Sequence, residues 1–246
     1  MKRPLVLFLS ACVLSASSWA DDQSLEQLHQ LRTRSLLLCA NALVQFNEYE
    51  ERGDTLRPEA YRADLAEMKQ ISASSKLPSE LALVSEMEQQ IAELEGLPRQ
   101  GTNRYGHGLA KLLDLQQQLE QLASKRYQSM EGSEPNQRRA LRTISLDTGR
   151  MLLLYQSRAF VLLPKHGLDI SEETNQQLDG HISVGLQNLI QMNASLATRL
   201  VPVERRYQFV RGKLMNFQQN WAPSGVALYL ERNIRELDQL ASDSNN

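Results

Sequence analysis

Cysteine is close to absent: Cys12 and Cys39 are the only two in 246 residues. Cys12 falls in an N-terminal stretch that reads as a leader, so Cys39 alone is left in the mature chain. An internal disulfide is then excluded and the fold must rest on core burial. In "RSLLLCANALVQF" Cys39 reads as a small buried thiol. Glycine (12) and proline (8) are sparse as well. No run of alternating β-branched residues is present, which argues against a sheet. Catalytic signatures are also missing: there is no Gly-x-Ser-x-Gly, phosphate loop or dinucleotide fingerprint. No Cys-x-x-Cys-His is present for covalent haem. Acidic residues are scattered over helical faces with no pair that can be placed together for acid/base work. The reading is therefore of a non-enzymatic protein without a cofactor. Nor is there a basic excess, which excludes a nucleic-acid binder.

What the sequence does have is Leu, Gln, Glu, Ala and Arg, a helix-forming composition. It opens with "MKRPLVLFLSACVLSASSWADD". Lys2 and Arg3, a short apolar core and small residues before Asp21 make a secretory signal peptide over residues 1–20, cleaved after Ala20. The apolar run is shorter than the roughly 20 residues of a membrane span, and no other span is expected. The predicted location is the periplasm. "LSAC" also resembles a lipobox, so anchoring through a lipidated Cys12 is the alternative.

Apolar periodicity, punctuated by proline, glycine and capping residues, predicts eight helices and an all-α fold. The first runs from Ser24 to about Glu51 and is ended by Gly53. The second starts at Thr55, Pro58 and Glu59. The third starts at Pro78, with Leu81, Val84, Met87, Ile91 and Leu94 in register, and stops at Gly96 and Pro98. After a glycine-rich loop, "RQGTNRYGHG", the fourth spans about Leu109 to Met130. The fifth begins after "GSEPN" and runs to Leu163. Ser171 caps the sixth, which continues to about Arg199; Pro202 starts the seventh, interrupted by Pro223 and Gly225; and Val226 to Leu240 forms the eighth.

The halves look alike. Pro78 and Pro98 frame the third helix much as Pro202 and Pro223 frame the seventh. "LRTRSLLL" in the first helix aligns with "LRTISLDTGRMLLL" in the fifth. The expected architecture is a tandem pair of four-helix up-and-down units, residues 21–132 and 133–246, reading as an internal duplication. Charge is split between them: 12 Lys and Arg stand against 18 Asp and Glu from Asp21 to Gly132, and 13 against 11 from Ser133 onward. That contrast allows the halves to attract each other or to face different partners.

Three groups of residues could carry function. Glu26 and His29 have the Glu-x-x-His spacing of di-iron bundles, but no second such pair exists, so no metal site is expected and both are read as a solvated first turn. The run "RLVPVERRYQFVRGK" places Arg199, Arg206 and Lys213 seven apart, flanked by Arg205 and Arg211; it reads as a solvated charged face or as a basic face for an anionic partner. Third, "ISLDTGRMLLLYQSR" resembles part of a first-helix motif of the helical-bundle input domains of nitrate sensors and pilus chemoreceptors, through Gly149, Arg150, Met151 and Leu152. It departs from that motif at Leu146 to Thr148 and in the position of Gln156 and Arg158. The resemblance covers about 15 residues. It implies that Arg150 or Arg158 faces an anion inside the second bundle. With Tyr155 these make the candidate ligand-binding residues.

The leading expectation is an interaction or adaptor module for an envelope protein, motivated by surplus apolar positions such as "LLLYQSRAFVLL". The alternative is a bundle that binds a small anion or metabolite. The first requires an exposed apolar patch, the second a pocket with converging polar groups.

Overall fold

The computed structural model describes residues 5–47, 59–75, 77–98, 104–130, 132, 134–160, 163–164, 167–217 and 221–243, with side chains from Gln23 onward, Arg104 excepted. Among these residues there are eight helices and no strand: α1 Leu5–Gln45, α2 Ala60–Ser74, α3 Pro78–Glu95, α4 Arg104–Met130, α5 Asn136–Ala159, α6 Glu172–Met192, α7 Ala194–Leu214 and α8 Pro223–Asp243. The chain is all-α, as its periodicity predicts. Gly53, Thr55 and Pro58, and the side chains of Cys12 and Ala20, lie outside the described residues.

Neighbours in sequence are neighbours in space. Helix α1 packs on α2, α2 on α3, α3 on α4 and α4 back on α1; α5, α6, α7 and α8 close a second ring in the same order. The rings meet where α1 packs on α5 and α8. This explains the two most apolar segments. From Leu31 to Val44 every residue of α1 is buried, and so is nearly all of α5 from Leu141 to Ser157. A helix with neighbours on every side is apolar on every side. Of the surplus apolar residues of "LLLYQSRAFVLL", Leu152, Leu153, Leu154 and Phe160 are thus used within the chain, all in the core. Gly149 sits at this crossing, where a Cβ would stand 3.0 Å from Leu36 Cδ1. One apolar core runs through all eight helices.

The charge contrast is also used internally. Arg142 of the second ring pairs with Glu26 of the first, and Arg150 bonds Glu120 at 2.8 Å. Arg235 bonds both Asp64 (2.8 Å) and Glu67 (2.9 Å). Three arginines of the second half therefore hold four carboxylates of the first. His29 belongs to the same interface. It is 1 % exposed and bonds Asp238 at 2.8 Å, with Thr33 and Ser145 donating to the same carboxylate. The expectation of a solvated Glu26 and His29 is corrected here, because α8 covers that face of α1.

Several boundaries differ from expectation, each for a local reason. Helix α1 ends at Gln45, short of Glu51, and α5 ends at Ala159, short of Leu163. Helix α4 starts at Arg104, inside the supposed glycine loop. Gly108 there lets α4 approach α3 so closely that a Cβ would lie 2.6 Å from Leu94 Cδ2. Helix α6 stops at Met192, where Asn193 accepts from the N–H groups of Ser195 and Leu196 and so caps α7. Pro202 then falls inside α7. Pro223 is the first residue of α8, whereas Pro98 follows the end of α3. The paired prolines are thus not equivalent punctuation, although the ring order repeats.

Candidate functional site

The expected ligand-binding residues all lie on α5, but they do not converge. Arg150 faces the junction of the rings, where its guanidinium donates to Glu120 at 2.8 Å and to Asp147 at 3.0 Å. It borders a cleft of about 510 Å³ that Gln116, Gln177 and His181 also line. With these two carboxylates on it, Arg150 bridges the rings. Burial works to raise the Glu120 carboxyl, but Arg32 and Arg150 outweigh it and hold it below its ordinary range.

Arg158 lies two helical turns further on, at the C-terminal end of α5, in a different setting. Its Nη2 donates to the Leu214 carbonyl at 2.7 Å, satisfying an orphan acceptor at the end of α7. Its Cζ stands 4.0 Å from the centroid of the Phe217 ring and 5.8 Å from that of Trp221. Nε and Nη1 are buried and meet no hydrogen-bond partner. Burial lowers the Arg158 guanidinium from its ordinary value, with no carboxylate acting to oppose it. The neighbouring Ser157, 4 % exposed, also has an Oγ without a partner. Both residues line a cavity of about 710 Å³ whose other walls include Phe160, Leu168, Phe217 and Trp221. Asp169 stands on its rim, its carboxylate accepting from the Thr174 hydroxyl and the Ser171 N–H.

Tyr155 supports this cavity from behind. It is fully buried, accepts the Ala222 N–H on its hydroxyl at 2.8 Å and packs edge-on to Trp221, ring centroids 5.3 Å apart. The structure therefore brings Arg158 and Tyr155 together and sets Arg150 apart. Ser157, Phe217 and Trp221 were not anticipated from the sequence. Phe217 lies three residues past the end of α7 at Leu214 and turns onto Arg158.

The basic run is divided by its helix. Arg199 bonds Asp243 at 2.7 Å and Arg206 bonds Asn233 and Glu236, all on α8. Arg211 turns to α6, holding both oxygens of Asp179 at 2.7 Å. Arg205 is exposed and Lys213 half-buried. Among the described residues, no group of three or more His, Cys, Asp or Glu could hold a metal ion, and no helix is long and apolar enough to cross a membrane.

The chain matches no family model, no curated protein and no solved structure.

Proposed function

We propose that this is an exported, non-enzymatic protein that binds a small anionic ligand in the cavity at the C-terminal end of α5, with Arg158 as the anion-recognising group. The observation that carries this reading is the place of Arg158: a cation on the wall of an open cavity, its guanidinium lowered by burial with no carboxylate acting to oppose it. A buried charge without a counter-charge calls for one. The polar groups that lack partners there, a guanidinium and a hydroxyl, suit recognition and not proton transfer. Export to the periplasm is supported by the N-terminal pattern of Lys2, Arg3, an apolar core and small residues before Asp21.

A thermal-shift screen against inorganic and organic anions tests the reading. A ligand at about 100 times its dissociation constant adds roughly 2.7 kcal/mol, several degrees for a domain of this size. The shift is expected to vanish in Arg158→Ala. A shift of the same size in that variant, or no shift with any anion, contradicts the reading.

A second reading, an adaptor for an envelope protein, is favoured by one observation. Phe209 is 71 % exposed on α7 and packs against Tyr229 of α8, ring centroids 4.9 Å apart. Crosslinking from position 209 in native envelopes tests it.

A further inference from the structure

Helices α7 and α8 run antiparallel, Arg199 meeting Asp243 at one end and Phe209 meeting Tyr229 towards the other. Both expose apolar side chains: Phe209 is 71 % exposed and Leu228 44 %. Arg205 lies one turn before Phe209, and Arg232 one turn beyond Leu228, so each arginine shares a helix face with its apolar neighbour. Both arginines are exposed. Other cations of this region are used inside the second ring: Arg199 and Arg206 hold Glu236, and Arg211 holds Asp179. Arg205 and Arg232 have no ion pair among the described residues. Glu236, one turn beyond Arg232, is already taken by the α7 arginines. Glu231 is buried, and Glu204, seven residues before Arg211, shares the side of α7 that faces α6. Gly212, three residues after Phe209, has nothing within 4 Å of where a Cβ would stand. This part of α7 is therefore a bare ridge and not the wall of a groove.

We propose that this ridge docks the protein on the surface of an anionic lipid bilayer, with Phe209 and Leu228 entering the interface and Arg205 and Arg232 on the lipid phosphates. The proposal is independent of the Arg158 cavity and assigns to lipid the surface on which a protein partner would otherwise rest. Charge complementarity supports it: unpaired cations beside exposed apolar groups match a surface that is negative outside and apolar just beneath. Each arginine near such a surface strengthens binding about fivefold, and taking an aromatic ring out of water adds roughly tenfold or more. Shape favours a bilayer over a protein. A specific protein partner covers roughly 800 Å² on each side with complementary packing, whereas a protruding ring flanked by arginines suits a soft surface that closes round it. With only two free cations the attachment is reversible and is screened by salt.

The chain has two tryptophans, Trp19 and Trp221. Phe209→Trp on a Trp19→Phe, Trp221→Phe background therefore puts the only indole on the ridge. The full chain with these changes is titrated with vesicles of phosphatidylcholine alone and of phosphatidylcholine mixed with phosphatidylglycerol, each with and without bromine on the acyl chains. The expected result is a blue shift of the indole emission, and its quenching by brominated lipid, only where phosphatidylglycerol is present. The readout is local to the ridge, so lipid contact by the apolar N-terminal segment does not produce it. On the same background Arg205→Gln and Arg232→Gln should each raise the lipid concentration for half-maximal quenching about fivefold. Leu228→Ser should raise it about threefold to tenfold, whereas Val184→Ser, exposed on α6, should leave it unchanged. All four are surface changes, so the fold is kept. Equal quenching in neutral and anionic vesicles, or quenching indifferent to both arginine changes, overturns the proposal. So does an absence of quenching with every vesicle; a crosslink from position 209 to an envelope protein would then assign the ridge to a protein partner.

Discussion

At the scale of the residue, what decides behaviour is how a buried charge is neutralised. Asp64 and Asp238 show the two outcomes. Burial pushes Asp64 up to about 7 from an ordinary 3.8, only partly opposed by Arg235 and the Asn41 amide. Arg235 is half-exposed and shared with Glu67, so it stabilises the Asp64 charge incompletely. Burial also works to raise Asp238, but His29, Arg34 and the Ser145 hydroxyl outweigh it and hold this carboxyl below its ordinary range. The signs of their contributions to stability are opposite. Folded Asp64 holds its proton more tightly than the unfolded chain does, so its contribution is full below the ordinary carboxylate range and is lost as pH rises through about 7. The contribution of Asp238 is present above that range and lost as pH falls through its depressed value. Urea unfolding of Asp64→Asn should therefore show a smaller drop in stability between pH 5 and pH 8 than the parent. An unchanged drop would mean that Asp64 does not titrate there.

Arg158 is a third case, neutralised by neither a carboxylate nor proton loss. The sequence could nominate it, because an arginine on an apolar helix needs a reason. It could not separate Arg158 from Arg150, which has the same spacing from apolar neighbours but meets Glu120 and Asp147. That difference depends on where α4 lies against α5, a contact between residues thirty apart in the chain.

At the scale of the element, apolar periodicity located all eight helices, and it failed where a boundary depends on one side chain's geometry. Nothing in "LIQMNASLATRLVP" marks Asn193 above Pro202 as the break, since both are permitted helix starts. The structure decides for Asn193, whose carboxamide oxygen accepts from the N–H groups of Ser195 and Leu196, the second and third residues of α7. Pro202 then stands in mid-helix, exposed, leaving the Thr198 carbonyl without its helical donor. An interior proline costs a helix about 3 kcal/mol in unadapted settings. Pro202→Ala should accordingly raise stability by about 1–3 kcal/mol in urea unfolding, and Asn193→Ala should lower it by about 1 kcal/mol. A destabilising Pro202→Ala would show that the proline is needed for the path of α7. The all-round apolar character of α1 and α5 was visible too, but its cause was not: surplus apolar residues look the same whether they await a partner or another helix of the same chain.

At the scale of the whole molecule, the two rings are joined by more than a linker. Leu36 of α1 packs on Gly149 of α5, and His29, Thr33 and Arg34 of α1 reach Asp238 of α8. Arg142, Arg150 and Arg235 then carry charge across the seam. The apolar core is continuous through both rings. The chain should consequently unfold as one cooperative unit, with equal calorimetric and van't Hoff enthalpies. Two separated heat-capacity peaks would show instead that each ring is stable alone. The continuity matters for the proposed function because the cavity at Arg158 lies in the second ring, while α5, which carries Arg158, also forms the seam with α1.

The most direct test of the central claim is a crystal soaked with bromide, a small anion, and measured at the bromine absorption edge. The account predicts one strong anomalous peak in the cavity that Arg158 lines. A peak beside Arg150 in the cleft between the rings, or none in either place, would contradict it.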